Sequence, residues 1–351
     1  MIKKIKLKNF RIFNEFELDI NNSLIILSGK NATGKTSILE AIYLCSSSKS
    51  IRDSDVLNLI KFDQDYFDIQ VETNIKKYRV IVSKDEKSFL IDKKQITRIK
   101  DFIGDLSCVI SSPSDLNLIN GIKGERRKFL DLEISMIDKN YLNVLSKYKK
   151  ILNERNDLFK SDKLDKIYLN ILTDELIKNL IKIYKIRNKF IDELNVYINE
   201  ISKEMKLENL KLEYRSSYDI NNIKKSFDDK LDRDIILKTT NIGTHRDDLK
   251  ILLNDNDIKS FGSEGQKRIS MIIIKLALKE YIRRNINENV ILLLDDCFIA
   301  LDKERIISLT KQIKKSKQVF ITTTSVLEIP DNLIQDAQVI RIDGGKNSAR
   351  S

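Results

Sequence analysis

A glycine-rich segment that directly follows a short apolar run constrains the fold of this chain more than any other feature. Residues 29–36 read GKNATGKT and fit the pattern G-x-x-x-x-G-K-[ST]; the apolar run 24–27 precedes them, and residues 37–44 have helical apolar spacing. After a strand and before a helix, the N–H groups of such a loop point at phosphate oxygens, and the helix N-terminus adds a positive field. The sequence therefore predicts a nucleotide-binding α/β domain.

Two side chains of this phosphate loop, and a carboxylate far along the chain, carry specific chemistry. We expect Lys35 to neutralise the β- and γ-phosphates, which makes it catalytic, and Thr36 to hold Mg²⁺ through its hydroxyl. A second apolar run, 290–294, ends in Asp295 and Asp296. Asp295, at the end of a buried strand, is the expected carboxylate for the same Mg²⁺.

Asp296 has two interpretations. Because side chains alternate along a strand, we expect it to point away from Asp295, where it would polarise an attacking water as general base. The other interpretation is that it only caps the turn after the strand. The other motifs favour catalysis.

A third motif, the signature at residues 263–266 (SEGQ), precedes the apolar helix 269–281. Ser263 either simply caps that helix, or the helix N-terminus also grips a γ-phosphate. An ALD run at 300–302 follows the aspartate pair. This order, with a long insertion, indicates a split ATPase head that nucleotide closes. The residues predicted to bind ATP are Gly29, Lys30, Asn31, Ala32, Thr33, Gly34, Lys35, Thr36 and Ser37 of the loop, and Ser263, Gly265 and Gln266 of the signature.

Composition limits the class of protein. The net charge of +11 favours a polyanionic partner, either nucleic acid or a membrane surface, although a lysine-rich genome would give the same balance. Cys45, Cys108 and Cys297 have no metal-ligand spacing and fit a reducing compartment. No apolar run approaches the ~18 residues of a membrane span, and no export signal is visible. We therefore expect a cytoplasmic protein without a membrane partner.

Three regions are predicted along the chain. Residues 1–116 form the first part of the head, with the phosphate loop and an antiparallel β subdomain; residues 117–235 form a helical arm; residues 236–351 complete the head. Antiparallel strands are predicted at 66–73, 77–83 and 88–96, after strands at 2–7 and 16–27. The segment 207–238 is polar and gives no clear pattern.

A seam of apolar residues indicates the arm. Leu176, Leu180, Ile183, Phe190, Leu194, Tyr197 and Ile201 follow heptad spacing, with Arg187 as one polar interruption. A helix of 32 residues would span only about 50 Å, which suits a helical arm or hairpin better than a long coiled coil. A plain amphipathic helix packed on the head is the alternative.

The ordered motifs are similar to those of ABC-type ATPase heads, and more narrowly the chain resembles the RecF family of recombination mediators. The segments that carry this resemblance are KNFR at 8–11, RRKFLD at 126–131, GTHRDDL at 243–249, GQKR at 265–268 and QVFITTT at 318–324. The resemblance implies an SMC-like head with a short arm. It also implies an ATP-driven homodimer that clamps DNA at gaps, works with RecO and RecR to load RecA, and takes part in fork recovery and the SOS response.

The chain departs from the family pattern at a few positions. Ala32 stands where the family usually has glycine, Thr244 where it has proline, and Ser114 where it has an acidic residue. Thr324 occupies the position of the transporter switch histidine, as the RecF resemblance implies. By resemblance to SMC heads, Arg11 is expected near the nucleotide.

Residues outside the three motifs keep open roles. His245, the only histidine, is more typical of a structural hydrogen-bonding residue than of a catalyst. Arg126 and Arg127 contact DNA phosphates or pair with Glu125, Asp131 or Glu133 on their own helix.

Four other functions share parts of this pattern. A transporter ATPase lacks support because no membrane segment is present and the switch histidine is absent. An SMC-type tether needs a longer coiled coil, and an OLD-type nuclease needs a further acidic domain. A phosphotransferase would leave the signature at 263–266 unexplained.

Overall fold

The structure is a computed structural model that describes residues 1–161, 163–207, 209–299, 301–344 and 346–349. It divides the chain into unit 1, which comprises Met1–Leu116, Tyr197–Glu208 and Gly262–Ser351, and unit 2, which comprises Asn117–Val196 and Asn209–Phe261. The predicted division placed residues 236–261 in the head. They lie in unit 2 because the strand at 248–253 pairs with the strand at 210–215.

The elements alternate strands and helices in unit 1, whereas helices dominate unit 2. The strands are β1 Ile2–Phe10, β2 Phe13–Asp19, β3 Leu24–Ser28, β4 Tyr66–Thr73, β5 Lys77–Ser83, β6 Lys87–Ile91, β7 Lys94–Gln95, β8 Cys108–Ser111, β9 Leu210–Arg215, β10 Asp248–Leu253, β11 Asn256–Asp257, β12 Ile291–Asp295, β13 Gln318–Thr323, β14 Gln338–Asp343 and β15 Lys346–Ala349. The helices are α1 Lys35–Ser47, α2 Leu116–Asn120, α3 Lys123–Ile137, α4 Lys139–Leu158, α5 Lys166–Glu204, α6 Ile223–Asp228, α7 Leu231–Leu237, α8 Ile258–Phe261, α9 Glu264–Asn285, α10 Lys303–Lys314 and α11 Asp331–Ile334. Short 3-10 helices lie at Val56–Leu59, Ile99–Asp101, Pro113–Asp115 and Val326–Glu328.

A mostly parallel sheet positions the site in unit 1. Its order is β15-β14-β3-β13-β12-β8, with only β15 antiparallel. The residues of β3, β12 and β13 are all buried, as continuous apolar runs covered on both faces should be. Since β13 lies between β3 and β12, the carboxyl ends of these strands meet at one edge, where ligands bind in open α/β sheets.

A second, antiparallel sheet in unit 1 has the order β2-β1-β4-β5-β6-β7. In β1 the apolar residues are buried, whereas Lys4, Lys6 and Lys8 reach solvent. These lysines stand opposite Asp19, Glu17 and Glu15 of β2, respectively. Each lysine of this face is therefore matched by a carboxylate on the neighbouring strand.

Several strand predictions needed revision. The predicted strand 16–27 is broken into β2 and β3, because Asn22 turns the chain by accepting hydrogen bonds from the backbone N–H groups of Ser23 and Leu24. The predicted strand 88–96 is split into β6 and β7. The patternless segment 207–238 contains β9, α6 and α7. The strands predicted at 66–73 and 77–83 match β4 and β5.

Helix α5 begins at Lys166 and continues for 39 residues, about 58 Å at 1.5 Å per residue; its residues 166–196 belong to unit 2 and its residues 197–204 to unit 1. The apolar heptad positions of α5 are buried, apart from the half-buried Tyr197. In the described part of the chain no helix is long and apolar enough to cross a membrane.

Arg187, the polar interruption of the seam, is 1% exposed and organises the interior of unit 2. Its guanidinium donates to Asp131 Oδ1 at 2.7 Å, to Tyr141 Oη at 2.9 Å and to the Thr244 carbonyl oxygen at 3.1 Å. Asp247 Oδ2 lies 3.7 Å away. The interruption is thus a fully partnered buried cation, which fixes how α3, α4 and α5 pack together.

Removing this cation should destabilise unit 2 strongly. Arg187→Met leaves the carboxylates of Asp131 and Asp247 without their buried partner, so we expect a loss of about 3–5 kcal/mol in the free energy of unfolding. The matched control is Arg215→Met, which breaks an exposed pair with Glu213 and should cost less than about 1 kcal/mol. Urea unfolding followed by circular dichroism measures both. Equal losses in the two variants would show that Arg187 has no special structural role.

Candidate functional site

The phosphate loop connects β3 to α1 through backbone angles that favour glycine. Gly34 has φ 104°, and a Cβ there would come within 2.6 Å of the Phe13 ring, so only glycine fits. Ala32 has φ 64°, a left-handed conformation that favours glycine. The alanine at this position therefore holds the loop in a conformation that costs on the order of 1 kcal/mol relative to glycine.

Lys35 and Thr36 begin helix α1 at the mouth of the loop. Lys35 Nζ donates to the carbonyl oxygens of Gly29 at 2.7 Å and Lys30 at 2.9 Å, which holds the ammonium inside the loop. Burial lowers the pKa of Lys35, and the charges of Asp296 and Asp295 oppose that effect. An ammonium that has lost part of its hydration in this way is well placed to pair with phosphate oxygens.

Asp295 is the point where three elements meet. Its Oδ1 accepts from the Thr36 hydroxyl of α1 at 2.8 Å and from the Thr322 hydroxyl of β13 at 2.7 Å. The carboxylate is 6% exposed at the end of β12. The structure therefore brings together the two residues predicted to hold Mg²⁺, Thr36 and Asp295.

Asp296 lies beyond the strand, so the alternation argument used for its direction does not apply. β12 ends at Asp295, and Asp296 has φ 48°, the left-handed region. Its backbone N–H donates to Thr322 Oγ1 at 3.0 Å. The side-chain Oδ1 is buried without a hydrogen-bond partner among the described residues. Burial raises the pKa of Asp296, and the neighbouring Asp295 charge adds to this rise.

A buried, unpartnered carboxylate oxygen in a left-handed residue is costly, and such costs concentrate at functional sites. The strain and the missing partner argue against a role confined to capping a turn. The oxygen is available for a water or a ligand atom.

The residues around Asp295 fit a hard divalent cation. A threonine hydroxyl and an aspartate carboxylate are the oxygen donors that Mg²⁺ prefers, and the next residue, Asp296, has a carboxylate oxygen with no hydrogen-bond partner among the described residues. The charges of both aspartates act on Lys35, and a divalent cation would add positive charge to these two carboxylates.

The signature forms the N-terminus of α9. Ser263 Oγ accepts from the backbone N–H of Gln266 at 3.2 Å, and Gln266 Oε1 accepts from the backbone N–H of Ser263 at 2.9 Å. This reciprocal capping satisfies the simpler prediction for Ser263. Yet Ser263, Glu264 and Gly265 are exposed, and nothing lies within 4 Å of where a Gly265 Cβ would be. The helix N-terminus is therefore open to a ligand.

The loop after β13 contributes a carboxylate that sequence reasoning missed. Glu328 accepts from the hydroxyls of Thr323 at 2.7 Å and Thr324 at 3.3 Å. Its charge reaches both Lys35 and Asp296. A single glutamate at the end of a short 3-10 helix gives no sequence signal, so only the fold reveals it. Thr324, at the transporter histidine position, thus serves as a hydrogen-bond donor to Glu328.

Arg11 contacts helix α1, which directly follows the phosphate loop. Its guanidinium forms a two-pronged pair with Glu40 of α1 at 2.9 Å and a second pair with Asp53 at 2.7 Å. Glu40 is fully buried, and Arg52 also donates to it. The described contacts of Arg11 therefore include the helix that carries the phosphate loop.

The motif GTHRDDL supports the interior of unit 2. His245 Nε2 donates to the Thr240 carbonyl, so Nδ1 must accept from the Tyr148 hydroxyl; both distances are 2.9 Å. Burial lowers the pKa of His245 to about 4, which keeps the ring neutral. These contacts agree with the structural interpretation of this histidine.

The two arginines of α3 have other partners than those predicted. Arg126 is 7% exposed and pairs with Asp248 at 2.7 Å, and Arg127 donates to the Asp247 carbonyl at 2.8 Å. Arg126 therefore pairs with a carboxylate outside its own helix, and its burial leaves little surface for a contact with DNA. Asp302 caps α10 by accepting from the Arg305 N–H, whereas Ala300 lies outside the described residues.

Fold and site together define an ATPase head of the ABC and SMC type. A family model described as an AAA domain matches residues 4–219. The fold is also similar to that of an Smc head domain from Pyrococcus furiosus, with a TM-score of 0.55 at 16% identity over 99% of this chain and 95% of the other.

Curated relatives narrow this class. The chain is 37% identical to the DNA replication and repair protein RecF of Acholeplasma laidlawii over 99% of both chains, and 35% identical to that of Oenococcus oeni over 98% of both. A solved structure of the recombination mediator protein RecF-ATP in the RecFOR pathway superimposes with a TM-score of 0.89 at 30% identity, covering 100% of this chain and 97% of the other. The chain belongs to the RecF family.

Neutralising Asp296 should stabilise the ligand-free protein. Asp296→Asn removes a buried charge with an unpartnered oxygen, so the free energy of unfolding should rise by about 1 kcal/mol at neutral pH. Because folding raises the pKa of Asp296, this gain should shrink as the pH falls towards ~4, the ordinary aspartate value.

The matched control is Asp302→Asn, since asparagine caps a helix as well as aspartate and should change stability by less than about 0.5 kcal/mol. Thermal unfolding between about pH 4 and pH 8 compares the two. A loss of stability in Asp296→Asn would mean that Asp296 has a structural partner.

Proposed function

We propose that this protein is an ATP-dependent DNA-binding protein of recombinational repair and replication-fork recovery, in which ATP closes a homodimer on DNA and hydrolysis releases it. The observation that carries this proposal is the arrangement at Asp295: Thr36 and Lys35 of the phosphate loop, and Asp296 with its free oxygen, all lie at one sheet edge. The names of the curated relatives and of the RecF-ATP structure support the repair role and ATP binding.

The side chains of the site have separate tasks in this mechanism. The N–H groups at the start of α1 and Lys35 Nζ bind the phosphates of ATP, and Thr36 with Asp295 would hold Mg²⁺. Mg²⁺ bound there supplies positive charge that neutralises the β- and γ-phosphate oxygens. Asp296 accepts a hydrogen bond from the attacking water through its unpartnered oxygen and orients it as general base.

The raised pKa of Asp296 makes its carboxylate a stronger base than that of an ordinary aspartate. The positive charge of Lys35 acts in the other direction and favours the ionised form that a base requires. Glu328 and its two threonine donors border the same site. We propose that they help to keep the γ-phosphate side of the site polar and rigid.

The exposed signature supports dimerisation in this mechanism. The free N-terminus of α9 offers N–H groups and a positive dipole end, which suit a phosphate. We propose that Ser263, Gly265 and Gln266 bind the γ-phosphate held by a second copy of the chain. ATP then contacts the dimer more extensively than the monomer, and this differential contact shifts the population to the dimer.

The net charge of +11 supports DNA as the polyanion, and binding should depend strongly on salt and little on base sequence. We further propose the gapped junction of single- and double-stranded DNA as substrate, RecO and RecR as partners in loading RecA, a role in the SOS response, and a cytoplasmic location. The proposals on substrate, partners, SOS response and location all rest on membership of the RecF family.

A glycine substitution tests the composite site. Gly265 is the second residue of α9 and has open space around it, so Gly265→Gln should fold normally and bind ATP as a monomer. The added side chain would occupy the place of the second copy's phosphate. We expect ATP-driven dimerisation, measured by light scattering, to weaken by at least about tenfold.

The matched control is Gly124→Gln, because Gly124 is likewise the second residue of a helix, α3, and a Cβ added there would make only ordinary van der Waals contacts. That variant should dimerise normally. Unchanged dimerisation of Gly265→Gln would remove the signature from the interface.

The function itself is tested with a labelled gapped duplex. Asp296→Asn should bind ATP but stall turnover, so its fluorescence anisotropy titration should show tight binding only with ATP. The control is Lys35→Ala in the same background, which should lose the ATP effect because the ammonium contact to phosphate is gone. DNA binding that is indifferent to ATP in both proteins would contradict the nucleotide-closed clamp.

A further inference from the structure

Helix α5 exposes a single line of side chains in unit 2. From residue 171 to residue 196 every exposed position is three or four residues from the next, so the other faces of the helix are covered. These positions are Ile171, Asp174, Lys178, Lys182, Lys185, Lys189, Asp192 and Val196. Four successive members of the line are lysines, and we call Lys178, Lys182, Lys185 and Lys189 the lysine line.

The lysine line is only partly neutralised. Lys178 pairs with Glu175 at 2.7 Å, but that glutamate also receives Lys147 of α4 at 3.3 Å. Lys189 has a loose pair with Glu193 at 3.8 Å. Within the part of the chain that the structure describes, Lys182 and Lys185 form no ion pair. The two glutamates thus pair with the first and last members of the lysine line, and the charges of Lys182 and Lys185 between them stay without an ion-pair partner.

The lysine richness of the chain does not by itself produce such a patch. The solvent face of β1 also carries lysines in a row, Lys4, Lys6 and Lys8, but each stands opposite a carboxylate of β2. That face is locally neutral, whereas the lysine line has no second column of acidic residues. Uncompensated charge on an ordered helix is the electrostatic footprint of a polyanion site.

We propose that the lysine line of α5 binds the phosphate backbone of DNA, an assignment that rests on the DNA-binding function proposed above. Lys178 and Lys189 are 11 residues apart, about 16 Å along the helix. A DNA strand places one phosphate every ~3.4 Å along its axis, so four lysines on flexible stems can each reach a phosphate within that length.

Acidic residues on both sides of the lysine line limit how far along α5 DNA would bind. Asp174 and Asp192 continue the exposed line on either side of the lysines and repel phosphate. Because ammonium groups act as point charges without a fixed hydrogen-bonding plane, the contact reads backbone charge and not base sequence. The lysine line therefore accounts for DNA binding that depends on salt and is indifferent to sequence.

Neutralising the two unpaired lysines tests the assignment. The variant is Lys182→Gln with Lys185→Gln, and the matched control is Lys6→Gln with Lys8→Gln, which removes the same net charge from solvent-facing positions on the compensated face. On α5 glutamine keeps helix propensity close to that of lysine, and on strand β1 it replaces one solvent-facing polar side chain by another, so both proteins should fold. Both are made in the full-length Asp296→Asn protein and titrated with ATP against the labelled gapped duplex at about 50–400 mM KCl, a range over which phosphate contacts weaken strongly.

We expect the α5 variant to bind DNA about 10- to 100-fold more weakly at ~0.1 M salt, and its logarithmic salt slope to fall by about 2, since each phosphate contact contributes ~0.9 to that slope. The β1 control should stay within about twofold of the parent. ATP-driven dimerisation should be unchanged in both, because neither pair belongs to the ATP site.

Two results would overturn the assignment, and they separate it from the proposed function. If the parent binds DNA with ATP but the α5 variant matches the β1 control in affinity and salt slope, the lysine line is not the DNA contact and the function stands. If the parent itself does not bind DNA at any salt concentration, the proposed function fails and the lysine line loses its partner with it.

Discussion

The carboxylate of Asp295 is the interaction on which the site depends. By accepting from Thr36 and Thr322, it connects the first turn of α1 to β13, while its own backbone ends β12. Three segments that are far apart in the sequence are thereby fixed at one edge of the parallel sheet. The phosphate loop gains a defined orientation relative to Asp296, and a cation held by Thr36 and Asp295 would complete the same linkage.

Local patterns predicted the framework of this site because they act through nearby residues. Apolar runs predicted the two buried strands, at 24–27 and 290–294, and the glycines predicted the turn of the loop. These elements bring Thr36, next to Lys35, into hydrogen-bonding contact with Asp295. The same holds for β4 and β5, where alternation follows from one buried face.

The features that sequence reasoning missed come from interactions that no local pattern encodes. Asp296 leaves the strand through a left-handed residue, so alternation could not give its direction. Glu328 reaches the site only because β13 lies between β3 and β12. Strand β9 does alternate apolar and polar residues, but this stretch of only six residues lies in a polar segment, and its partner β10 comes more than 30 residues later. In the sequence Arg187 only interrupts the apolar seam, whereas in the structure it is a buried cation that donates to Asp131 of α3 and Tyr141 of α4.

Whether a basic side chain has a carboxylate partner nearby says more about its role than the net charge of the whole chain does. Buried cations such as Arg187 and Arg126 have dedicated carboxylates, and the β1 face is matched residue by residue. Lys182 and Lys185 of α5, by contrast, are part of the lysine line and form no ion pair in the described part of the chain. The alternative of a lysine-rich genome explains the number of lysines but not their uneven neutralisation.

We propose that two copies of the chain complete each ATP site, and the most direct test is ATP turnover per chain as a function of protein concentration at saturating ATP. A composite site predicts that turnover per chain rises with protein concentration and levels off once the dimer predominates. Turnover per chain that stays constant down to protein concentrations at which light scattering detects only monomer would show that each copy hydrolyses ATP alone, and would contradict the composite site.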